Sequence, residues 1–193
     1  MGAVNTVLFH DMSGTNTDVA GFIGDLQAHA VPLNGTHALV LGAGGAARAC
    51  AFSLLSRGID VCIANRTESK AGGLAEELNR AIARMAERDP GLRPGTARSA
   101  ALPRRHEDIT GYRALIVQTT SCGMTPDEHN DPIPEYQFDG SEIVYEIIYN
   151  PPVTRLLGRA ENAGCVTIRG ARMFEAQAAV QYELFRRAYW AQV

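Results

Sequence analysis

Residues Val40-Leu41-Gly42-Ala43-Gly44-Gly45-Ala46-Ala47-Arg48 carry a glycine-rich turn of the form GxGxx(G/A). No other segment constrains the fold as much, because this spacing functions only where a strand ends and a helix begins. Gly42 permits the tight turn, and Gly44 lets backbone approach a pyrophosphate. Ala47 is small enough for helix and strand to pack closely, and the helix N-terminus then faces the phosphates. A bare glycine turn is weak evidence, since an unliganded Gly-rich turn has the same spelling. The flanks strengthen it: residues 37–41 read as a strand and residues 46–56 as the following helix. Gly42, Ala43, Gly44, Gly45 and Ala46 are therefore candidate cofactor-binding residues.

The rest of the chain repeats that alternation. Strands are expected over 60–64, 114–118, 142–145 and 166–168, with a weak one over 97–102. Helices are expected over 69–88 and 154–163. In the first of these, Leu74, Leu78, Ile82 and Met85 recur at spacings of four and three and define a sheet-facing stripe. Short apolar runs alternating with amphipathic stretches predict an α/β class, doubly wound parallel sheet. Three pieces lie outside it: an apolar helix over 19–30, a long terminal helix over 174–190, and a strand over 1–9 with no partner in the chain.

Composition narrows the function classes. The 193 residues are enough for one well-packed domain and too few for two full-sized ones. A net charge of -3 provides no field for wrapping polyanions, so nucleic acid is not an expected partner. Cys50, Cys62, Cys122 and Cys165 stand singly, without CxxC spacing, which argues against a disulfide framework or structural zinc and fits a reducing, cytoplasmic setting. No apolar run is long enough to span a membrane, and no signal peptide opens the chain.

The second strand bears on cofactor choice. An NAD site places Asp or Glu roughly 20 residues beyond the loop, on the ribose 2′-hydroxyl. Here the strand ends in Asn65-Arg66-Thr67, with no carboxylate to repel a 2′-phosphate and an arginine able to pair with one; the alternative for Arg66 is a plain surface residue. Gln177 is the one polar residue in the helical stripe Met173, Gln177, Val180, Leu184, Ala188, and it must meet either a ligand or an internal partner. Tyr149 follows a strand end, where α/β folds place ligands, although a packing role explains it equally. Asp127-Glu128-His129-Asn130-Asp131 has metal-ligand residue types in consecutive loop positions that cannot converge, so no metal is expected. Cys122 has no Cys-His constellation and reads as a small filler.

Several ordered stretches resemble the shikimate dehydrogenase family. They are Gly2-Ala3-Val4-Asn5-Thr6, Gly14-Thr15-Asn16-Thr17-Asp18, the loop from Gly42 to Arg48, Asn65-Arg66-Thr67, Thr119-Thr120-Ser121-Cys122-Gly123-Met124, Val144-Tyr145-Glu146-Ile147-Ile148-Tyr149-Asn150-Pro151, and Gly170 with Met173 and Gln177. The resemblance implies NADPH-dependent reduction of 3-dehydroshikimate to shikimate, in aromatic amino-acid and chorismate biosynthesis, with quinate as a possible substrate. It implies that Asn5, Asp18, Tyr149 and Gln177 contact substrate, and that Asp18 is catalytic as the partner of a lysine. It further implies that Thr119, Thr120 and Ser121 cover the cofactor and that Ile147 and Gly170 line its nicotinamide side.

On the same ground, residues 1–18 are expected to be a remnant of a substrate-binding domain, 19–173 the NADP-binding domain and 174–193 a helix packing back toward the substrate domain. The family's lysine and its carboxylate-binding serines lie upstream of the AVNT stretch and have no counterpart here, and Lys70 is the only lysine. A domain supplied in cis or trans is therefore expected, with a homodimer also possible. The alternative is a non-catalytic NADP- or ligand-binding module. Glu146 departs from the family's usual Asp.

Overall fold

The computed structural model describes residues 2–33 and 35–190, apart from the His106 side chain. Six parallel strands form its sheet: β3 (Ala38–Leu41), β4 (Val61–Ala64), β5 (Ala97–Ala100), β6 (Leu115–Gln118), β7 (Ile143–Glu146) and β8 (Val166–Arg169). Their order across the sheet is β5-β4-β3-β6-β7-β8. This is the doubly wound arrangement, whose direction reverses between β3 and β6 and leaves a crevice at the carboxyl ends of those two strands. All four residues of β3, β4 and β6 are buried, as expected of strands covered by helices on both faces.

Helices α2 (Gly45–Leu55) and α3 (Glu68–Arg88) follow β3 and β4, and α4 (Arg155–Asn162) precedes β8. On α3, Leu74, Leu78 and Ile82 are buried as their spacing implies, whereas Met85 is 37% exposed near the helix end. The weak strand is real and forms the sheet edge, held where Asn79 of α3 donates to Ala97 O and accepts from Ala97 N.

One expectation is overturned. The first strand does have a partner in the chain: β1 (Thr6–Leu8) pairs antiparallel with β2 (Ser13–Thr15), bringing Thr6 opposite Thr15. Serine, glycine and threonine in β2 carry no apolar alternation, so periodicity could not reveal it. The terminal helix α5 begins at Ala171, earlier than expected, and runs to Trp190. It packs along α1 (Asp18–Ala28) so closely that a β-carbon on Gly21 would lie 2.8 Å from Met173 O.

Candidate active site

At the carboxyl ends of the strands, backbone approaches backbone. Gly42 holds φ +114°, and a β-carbon there would meet Thr119 Oγ1 at 2.7 Å. Only glycine satisfies both conditions without strain. Thr119 N and Oγ1 both donate to Leu41 O, at 3.0 and 2.6 Å, joining the turns that leave β3 and β6. Ala47 is fully buried beneath the turn. Above it, Gly44 and Gly45 are exposed, and β-carbons there would meet nothing within 4 Å. The first amides of α2 thus open onto free space, a geometry that suits an anion.

Asn65 braces the turn after β4 by donating to Thr67 O at 3.0 Å. Arg66 is exposed and pairs with no carboxylate among the described residues. It lines a groove of about 710 Å³ with Asn65 and the segments 100–104 and 132–135.

The loop beyond β6 is organised by a residue the sequence did not single out. Gln118 is fully buried; its Oε1 accepts from Thr120 N and Thr120 Oγ1, each at 3.0 Å, and its Nε2 donates to Cys122 O at 3.1 Å. Thr119, Thr120 and Ser121 line a concavity of about 380 Å³ with Ile147, Tyr149 and Asn150. Burial pushes the Cys122 thiol above its ordinary range, the opposite of what a reactive thiol needs.

A second concavity, about 350 Å³, adjoins it and shares Ile147 and Tyr149 as a wall. It gathers Asn5, Asp18, Gly170 and Gln177, together with Ala46 from the glycine loop. Gly170 is required by packing, because a β-carbon there would lie 2.4 Å from Ile147 O. Asn5 Nδ2 donates to Asp18 Oδ1 at 3.0 Å and to Thr17 Oγ1 at 3.1 Å, and Asn5 Oδ1 accepts from Thr17 N at 3.0 Å. Gln177 finds an internal partner: its Oε1 accepts from Thr17 Oγ1 at 2.9 Å. Burial raises the Asp18 carboxyl above its ordinary pKa, opposed by the Asn5 hydrogen bond. Tyr149 stacks on Phe174, with ring centroids 4.6 Å apart.

Five more residues were missed. Thr17 and Gln181 complete the polar lattice, Gln181 Nε2 donating to Thr6 Oγ1 at 3.0 Å; its position one turn beyond Gln177 was a usable signal. Asp25, 2% exposed, and Tyr145 tie α1 to the sheet, the phenol donating to Asp25 Oδ2 at 2.7 Å. Arg172 Nε lies 3.4 Å from the same carboxylate and adds α5 to the knot. Those three elements carry or lead to Asp18, Tyr149 and Gln177. Glu146 is buried at the end of β7, accepting from Ile148 N and Thr154 Oγ1, and its carboxyl is pushed up to about 8, chiefly by burial.

The family model described as shikimate / quinate 5-dehydrogenase matches residues 25–89. Over 188 residues the chain is 36% identical to the shikimate dehydrogenase (NADP(+)) of Methanosarcina mazei, covering 96% of this chain and 63% of that protein. The chain belongs to the shikimate dehydrogenase family. A second member, the shikimate dehydrogenase (NADP(+)) of Methanopyrus kandleri, is 40% identical over 190 residues, covering 96% of the chain and 62% of its own length. Among solved members, the Thermus thermophilus shikimate 5-dehydrogenase in complex with NADP(H) and shikimate superposes with a TM-score of 0.70 at 33% identity, over 89% of this chain and 56% of that one. The chain thus spans somewhat under two thirds of the length of the curated shikimate dehydrogenases it matches.

Proposed function

We propose that this chain supplies the cofactor site and one wall of the substrate site of an NADP-dependent oxidoreductase reducing 3-dehydroshikimate to shikimate. The observation that carries the reading is the shared wall. Ile147 and Tyr149 separate a concavity lined by the cofactor-side loop Thr119–Ser121 from one lined by Asn5, Asp18 and Gln177. Hydride transfer needs such an arrangement, with donor and acceptor held in adjoining spaces at near-contact distance.

NADPH fits the residues present. The free amides at Gly44 and Gly45 suit its pyrophosphate, Arg66 suits its 2′-phosphate, and Ile147 and Gly170 leave a smooth face for a flat ring. Bound there, NADPH would supply the hydride. The chain's own residues position the acceptor. Gln177, fixed through Thr17, offers its amide nitrogen to a substrate hydroxyl, Asn5 would reach substrate by exchanging one of its internal bonds, and Tyr149 closes one side.

The alkoxide also requires a proton. Lys70 lies in the first turn of α3 and does not line this concavity. Asp18 Oδ2 accepts no bond among the described residues, and Asp18 is read as the partner of a lysine ammonium brought by polypeptide outside these 193 residues, in cis or in trans. The singly placed, unpaired cysteines favour the cytoplasm as its setting.

The test is an assay of this chain joined to the N-terminal domain of the Methanosarcina mazei relative. NADP-linked oxidation of shikimate is the expected result. Preference for NAD, or no oxidation by a preparation that binds NADP, would overturn the reading.

A further inference from the structure

The large groove beside Arg66 contains a second arginine, for which neither the sequence nor the site provides a role. β4 and β5 are parallel neighbours with Ala64 opposite Ala100, so the segments leaving them run side by side along the edge that carries the phosphate loop. The first delivers Asn65 and Arg66, and the second delivers Leu102, Pro103 and Arg104. The Arg104 backbone is fixed, because the amides of Arg104 and Arg105 both donate to Asp108 Oδ2, at 2.8 and 3.1 Å. Its guanidinium is held only loosely: Nε lies 3.4 Å from Glu135 Oε2, with the two side chains 75% and 63% exposed. An ion pair this exposed contributes little and is readily exchanged for a better partner.

We propose that Arg104 is a second guanidinium for the 2′-phosphate of a bound adenosine nucleotide, leaving Glu135 for the phosphate when the ligand enters. The proposal rests on the NADP reading above. The groove has the composition that such a ligand needs. Leu102, Ile133 and the flanking prolines form an apolar wall for a purine, and Arg66 and Arg104 reach the same space from neighbouring strand ends. Three carboxylates also line or brace it. Asp108 is occupied by backbone amides, which hold its pKa below the ordinary range, and Glu68 sits at the start of α3. Glu135 is the one that competes directly for Arg104. A phosphate dianion outcompetes a single carboxylate for a planar guanidinium that offers two parallel donors. Glu135 then acts as a placeholder that keeps Arg104 over the groove while it is empty and raises the cost of filling it.

The assignment has a sign that a merely solvated arginine would not show. Adenosine 2′,5′-bisphosphate and ADP, titrated calorimetrically into the unaltered chain, Arg104→Ala and Glu135→Gln, separate the possibilities without requiring turnover. Arg104→Ala is expected to weaken the 2′,5′-bisphosphate about 5- to 50-fold and to leave ADP nearly unchanged. Glu135→Gln is expected to tighten the 2′,5′-bisphosphate several-fold, and Arg104→Lys to retain part of the preference. Both positions are exposed, and circular dichroism checks that the variants fold. Equal changes for the two ligands, or none in either variant while the unaltered chain still prefers the 2′,5′-bisphosphate, would remove Arg104 from the site. An unaltered chain that does not distinguish the two ligands would instead sink the NADP reading, and this proposal with it.

Discussion

The phosphate-loop side of the cleft and the α1/α5 side are made of different material. Close backbone approaches set the first, where Gly42 meets Thr119 and Gly170 meets Ile147, over strands with no exposed side chain in β3, β4 or β6. The second is a lattice of side-chain hydrogen bonds among Asn5, Thr17, Asp18 and Gln177, positions up to 172 residues apart. It also carries exposed apolar groups, with Phe9 81%, Met12 77%, Tyr182 68% and Trp190 62% exposed. A backbone-built site is preorganised wherever the sheet folds. A lattice at an uncovered apolar surface is complete only when something covers it. The comparison therefore expects binding of cofactor and turnover of substrate to come apart in this chain.

The sharpest way to force them apart is Asp18→Asn in the complemented enzyme. Asparagine keeps an oxygen to accept the Asn5 hydrogen bond, so the lattice survives while the negative charge is lost. Shikimate oxidation should fall about 10²- to 10⁴-fold, the range for loss of a positioned proton donor, with NADP affinity unchanged. Steady-state rates beside calorimetry check both halves, and a parallel loss of cofactor binding would show that the two sides are not separable.

Arg66→Ala probes the other side. A hydrogen bond to a charged partner contributes about 1.5 to 3 kcal/mol, so NADP should weaken roughly 10- to 150-fold and NAD hardly at all. Equal losses for both cofactors would take Arg66 out of the site.

Legibility followed the same division. The strands and helices around the loop could be read because each is a local pattern, a short apolar run for a strand buried on both faces or a 3.6-residue stripe for a helix, and the glycine spacing of the turn is itself local. The partner of β1 could not be read, because Ser13-Gly14-Thr15 has no alternation and pairs through backbone alone. Asp25 escaped because a buried polar residue inside an apolar stretch shows its value only when its partner, here Tyr145, arrives from elsewhere; Gln118 escaped because its bonds to Thr120 and Cys122 belong to a loop conformation that no periodicity announces. Gln177 shows the limit plainly: its stripe required a partner, and only the fold reveals that the partner is Thr17. Asn5 and Asp18 were named through family resemblance alone, whereas Tyr149 and Gln177 also stood out by a strand end and a helical stripe.

An effect on stability, not on binding, lies at the junction of the two sides. Glu146, pushed up to about 8 by burial, keeps its proton in the folded chain at pH values where the unfolded chain, near 4.5, has released it. Its contribution to stability is fully present below about 4.5, declines by at most about 1.4 kcal/mol per pH unit, and levels off above about 8. Urea midpoints measured from acid to mildly alkaline pH should fall more steeply for the unaltered chain than for Glu146→Gln. Parallel curves would mean that the buried carboxyl ionises without cost.

The central claim, that these 193 residues hold a complete site for NADP by themselves, is tested most directly by calorimetric titration of the unaltered chain with NADP and, separately, with NAD. The account expects saturable one-to-one binding of NADP, at least about tenfold tighter than NAD, as the charge-assisted contact to Arg66 requires. Undetectable binding of NADP, or equal affinity for the two cofactors, would contradict it.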